Sequence, residues 1–147
     1  MYNKMTKIAL AFTLLSSLSG FAVAQVPKDI DQVLKKITLP LQKTEKESEI
    51  VTNYHYQDKA KNSLVIGLAS DFIDVSWTFK QSPDEKSEVV TQAQTVTQTL
   101  LGEEWNSLYR AITDGGTLDY LSQDDGTVIT DAGCSDTQCG YQVKLSK

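Results

Sequence analysis

Cys134 and Cys139 are the only two thiols in a chain of 147 residues, and four residues separate them. In an oxidising compartment that spacing ties the two arms of a hairpin, and the flanking sequence agrees with it. If Cys134 faces Cys139, then Ala132 faces Tyr141, Thr130 faces Val143 and Val128 faces Leu145, which makes one apolar face. Gln142 and Lys144 fall on the other side, the alternation expected of a half-buried antiparallel pair. Closing so short a loop contributes about 2 kcal/mol, so the bond pins a terminal hairpin without holding the whole domain. A redox role calls for Cys-x-x-Cys at a helix start, and this spacing differs. Zinc calls for four ligands, which two thiols and the distant His55 do not complete.

The N-terminus points to export as well. Lys4 and Lys7 supply a positive start, Ile8 to Phe21 an apolar run, and Ala22-Val23-Ala24 a small-x-small cleavage site before Gln25. The run is about 14 residues against the roughly 20 of a spanning helix, so a cleaved signal peptide at 1–24 is expected, not an anchor. No second apolar run follows, and the mature chain is expected to stay out of the bilayer, in the periplasm or secreted. Residues 25–147 then suit a single domain. They carry twelve basic and nineteen acidic side chains, a net charge of −7, and Arg110 is the only arginine. That balance disfavours nucleic acid and anionic membrane surfaces as partners.

Ile30, Val33, Leu34 and Ile37 recur at helical spacing, which predicts a short helix over Lys28 to Leu39, stopped by Pro40. Lys43 to Glu49 reads as a charged connector. Alternation then predicts strands at Ile50 to Tyr56, Leu64 to Leu68 and Phe72 to Lys80, with Ile73, Val75, Trp77 and Phe79 sharing a face. Ser82-Pro83-Asp84-Glu85 has the form of a helix start with a capping box. Val89, Ala93, Val96 and Leu100 form one stripe, and Leu101, Trp105, Leu108 and Ile112 a second, with a kink expected at Gly102. A strand over Val89 to Leu101 is the alternative there, because Thr and Val disfavour helix. Asp114-Gly115-Gly116 ends the helix, Thr117 to Leu121 opens the last strand group, and Asp125-Gly126 is a turn before the disulfide hairpin. The expected fold is α+β: a short N-terminal helix, a three-stranded antiparallel meander, a long or kinked helix, and a C-terminal three-stranded meander with the tied hairpin.

Catalytic motifs are not evident. His55 is the only histidine, and no G-x-S-x-G or Ser-x-x-Lys pattern accompanies it. Aligning Gly126 with the glycine of an EF-hand leaves ligand positions filled by Leu121 and Ala132. No phosphate-cradling or dinucleotide glycine pattern occurs, so no metal and no cofactor are assigned. Asp119, Asp124 and Asp131 are the acids a carboxylate hydrolase would draw on. Aromatic residues are the remaining lead, and the candidate partner-binding positions are Tyr54, His55 and Tyr56 at a strand edge, or Trp105, Tyr109 and Arg110 on the second helix. The sequence therefore favours a non-enzymatic exported protein that binds another protein. The alternative is a binder of a small apolar or envelope-derived ligand, held between helix and sheet by Trp77, Trp105 and tyrosines.

Overall fold

The computed structural model describes residues 30–145, so the expected signal peptide lies outside the described residues. The order is α1 (Ile30–Lys36), β1 (Leu41–Lys46), β2 (Thr52–Gln57), β3 (Ser63–Leu68), β4 (Phe72–Thr78), α2 (Glu88–Leu101), a 3-10 turn (Gly102–Glu104), α3 (Trp105–Thr113), β5 (Leu118–Ser122), β6 (Val128–Cys134) and β7 (Gln138–Lys144). The fold is α+β. The two strand groups join into one seven-stranded antiparallel sheet in the order β1-β2-β3-β4-β7-β6-β5, sealed at its centre by β4 against β7.

One face of this sheet carries the core. Leu64 and Ile66 of β3, Ile73, Val75 and Trp77 of β4, Tyr141 and Val143 of β7, and Ile129 of β6 are buried, and α2 packs on β3 and β4. Both helical stripes are as the spacing predicts. Val89, Ala93, Val96 and Leu100 are buried, as are Leu101, Leu108 and Ile112. Gly102, at φ 64°, is where the stripe rotates, a conformation that glycine adopts without the Cβ penalty. The strand alternative for 89–101 is set aside, since the segment is helical.

Four local differences from the sequence reading follow. The connector expected at Lys43 to Glu49 contains a strand, β1, and the first group has four strands. All six β1 residues are exposed, so no buried face imposes the alternation that marks a strand. Ser82 to Glu85 forms a turn, closed by the Glu85 amide donating to the Ser82 carbonyl. The helix starts at Glu88, where the Ser87 hydroxyl accepts from the Val90 amide at 3.1 Å. Glu85 instead accepts from the Lys80 and Gln81 amides and from Asn62, tying the β2–β3 hairpin to the chain entering α2. In the described part of the first helix, the α-helical turns end at Lys36, short of the expected Leu39. Finally, Cys134 does pair with Cys139, but the register slips by one between Thr130 and Gly133. Ile129 therefore pairs with Val143, and Thr130 with Gln142. A bulge with Asp131 at φ 53° absorbs the extra residue. It brings Ile129, fully buried, into the core in place of the half-exposed Val128.

Candidate functional site

Among the described residues no helix layer covers the sheet's second face, and the backbone pairing orders its residues into rows. One row runs Lys43, His55, Val65, Ser76, Gly140 and Gly133 across six strands. The next runs Glu45, Asn53, Gly67, Asp74, Gln142 and Thr130. Small residues at the centre leave a groove of about 450 Å3, lined by Asp74, Ser76, Asp119, Asp131, Gln138 and Gly140 among others. Two glycines on this face have close neighbours where a Cβ would stand, a side-chain amide at Gly67 and a backbone carbonyl at Gly140. A Cβ at Gly67 would stand 2.9 Å from Asn53 Oδ1, and one at Gly140 would stand 3.0 Å from the Val75 carbonyl. Burial pushes the Asp74 carboxyl above the usual aspartate range, with the charges of Glu47 and Asp131 adding to it.

His55 lies towards one end of the first row. Its Nε2 is 3.3 Å from Glu45 Oε2, a close contact without hydrogen-bond alignment. Lys43 is closer to the same carboxylate, at 2.7 Å. Lys43 chiefly, and His55 to a smaller degree, hold the Glu45 carboxyl below its ordinary value. Tyr54 and Tyr56 point the opposite way, because adjacent strand residues face opposite sides. Tyr54 packs on the core and Tyr56 is buried. The three candidates at this strand thus divide between two faces, and His55 alone belongs to the open one.

The α3 candidates also separate. Tyr109 is buried and stacked on Trp77, with centroids 5.7 Å apart and planes within 5°. Trp105 tilts against Tyr109 at 5.9 Å and packs against the core. Arg110 is exposed. Trp77 also meets Tyr141 edge-on at 6.2 Å, and the Tyr141 hydroxyl donates to Thr97 Oγ1 at 2.9 Å. Thr97 in turn donates to the Ala93 carbonyl at 2.7 Å. Of the aromatic side chains expected to line a ligand pocket, Trp77, Tyr109 and Tyr141 are buried between the helices and the sheet.

Of the acids singled out in the sequence, Asp119 and Asp131 line the open-face groove beside Asp74. Asp124 lines a separate cleft of about 420 Å3 at the corner between the two helices and the β5–β6 turn. Asp125 serves the turn, its Oδ1 accepting from the Thr127 amide at 2.8 Å. Among the described residues, no three His, Cys, Asp or Glu side chains are grouped to hold a metal ion. Asp74 and Ser76 were missed as site residues, although they are the outward positions of an alternating strand and period-two counting marks them. The bulge at Asp131 has no comparable signature. No protein-family model, curated protein or solved structure matches the chain.

Proposed function

We propose that the chain is an exported, non-enzymatic protein that acts by binding another protein through the open face of its sheet. The observation that carries this reading is the groove over Ser76 and Gly140, where one small side chain and a glycine sit side by side on neighbouring strands. A partner segment can approach the sheet closely over these two small residues, and the carboxylates of Asp74, Asp119 and Asp131 along the groove favour a segment without acids. The disulfide is compatible with an exporting route to the periplasm or beyond. No helix among the described residues is long and apolar enough to cross a membrane.

The test is affinity capture from native envelope and culture fluid with the protein and two variants. Ser76→Arg fills the groove, and Arg110→Glu alters the exposed side of α3. The proposal expects one protein, captured saturably, to be lost with Ser76→Arg and kept with Arg110→Glu. Capture indifferent to Ser76→Arg, or lost only with Arg110→Glu, overturns it.

A further inference from the structure

The two edges of the sheet, β1 and β5, pair with no further strand among the described residues, and their chemistry differs. In β1 the register and one hydrogen bond determine which backbone groups are free. The Glu47 amide donates to the Val51 carbonyl, and the paired positions alternate from there. Lys43 and Glu45 therefore turn their amides and carbonyls towards β2, while Thr44 and Lys46 turn theirs outward. Only registers that set outward groups against outward groups can extend the ladder.

For antiparallel pairing of β1 with itself, three such registers lie near the strand centre. One is centred on Lys43 and sets two ammoniums face to face. Another is centred on Glu45 and opposes two carboxylates at its middle, while the opposite charges it aligns, Lys43 with Glu47, reach past the end of the strand at Lys46. The third is centred on Thr44, and it alone places Lys43 opposite Glu45 of a second copy, twice by symmetry. Opposite charges directly across a strand pair stabilise it, and like charges destabilise it. The lysines that discourage a neutral strand from adding to this edge thus select one complementary partner. We propose that β1 is a homodimer interface, in which two copies join edge to edge about a two-fold axis through Thr44.

Two further features fit this pairing. Antiparallel alignment lays the β1–β2 turn of one copy, with Ile50 exposed by 67%, towards the Leu41 end of the other, where Leu41 is exposed by 51%. Among the described residues these are two of the four large apolar side chains left exposed. The pairing is also isologous, so it closes at two copies. It keeps both open faces on one side, because Lys43 and Glu45 share that face, and it leaves the groove free. The β5 edge lacks the same complementarity: self-pairing about Tyr120 sets Asp119 against Leu121, and pairing β1 with β5 would be head-to-tail, without the two-fold symmetry that closes a dimer.

Sedimentation equilibrium of the purified protein from about 10 μM to about 1 mM tests this, a range that spans weak edge-to-edge affinities. The wild-type protein should show a monomer–dimer equilibrium weakened by salt. Lys43→Glu and Glu45→Lys should each raise the dissociation constant at least about tenfold, through opposed like charges. An equimolar mixture of the two variants should associate again as a heterodimer, which also shows that each variant is folded. A monomer throughout the range overturns the proposal, as does a mixture that stays monomeric. Association unchanged by either reversal but abolished by Tyr120→Glu assigns the contact to β5 and overturns it equally.

Discussion

At the scale of single residues, the stability of the helix–sheet contact turns on one buried polar relay. Tyr141 and Thr97 are both fully enclosed, and the chain from phenol to hydroxyl to the Ala93 carbonyl satisfies the Tyr141 donor. Burial holds the Tyr141 phenol far above its ordinary range, so it stays a neutral donor at any pH the fold meets. Tyr141→Phe removes the donor and leaves Thr97 bonded, and should cost about 1 kcal/mol in urea unfolding. Thr97→Val strands a buried phenol, and should cost about 1–3 kcal/mol. Asp74 titrates in the opposite sense to a salt-bridged acid. Its folded-state pKa is raised, so the protonated form favours folding. The contribution is present below the ordinary aspartate value of 3.8 and is lost as pH rises through the raised value. Asp74→Asn should therefore raise the melting temperature at neutral pH, leave it unchanged in strong acid, and flatten the slope between; a steeper acid-side loss in the variant would contradict the cause given.

Among the elements, α2 shows most clearly what a local signal can and cannot specify. Its apolar stripe and the break at Gly102 follow from helical spacing, because burial against a sheet repeats that spacing faithfully. Its start did not follow, since two serines five residues apart both precede acids, and the choice rests on a tertiary contact. Glu85 is drawn to Asn62 and to the Lys80 and Gln81 amides, leaving Ser87 to cap. Ser87→Ala should thus cost about 1 kcal/mol, while Ser82→Ala should change the urea midpoint little. β1 and the β6 bulge were hidden for a related reason. An edge strand with no buried face has no period, and a bulge breaks the period that would reveal it.

Across the whole molecule, one uninterrupted sheet links the two strand groups, with β4 and β7 as its centre. The tied hairpin was legible from the cysteine spacing and the alternation of Tyr141 and Val143, whereas the alternation read for Val128 and Thr130 was one residue out because of the bulge. The joining of the two meanders was not, since nothing in the local pattern of β4 names β7 as its neighbour. The open face was half legible for the same reason: outward positions such as Asp74 and Ser76 can be counted along one strand, but their assembly with Asp131 and Gly140 depends on strand order and the bulge. The disulfide closes a short loop between β6 and β7, so replacing both cysteines by alanine should cost about 2 kcal/mol and leave a cooperative fold. Loss of the cooperative transition would mean that the hairpin is integral to the core.

The claim that most needs deciding is that the open face, and not the helical face, meets the partner. Site-specific photo-crosslinking in the native envelope decides it, with the photoreactive residue at Gln142 on the open face in one protein and at Arg110 on α3 in another. The account predicts a discrete adduct with a different polypeptide from position 142 and none from position 110. An adduct from position 110 alone, or none from either, would contradict it.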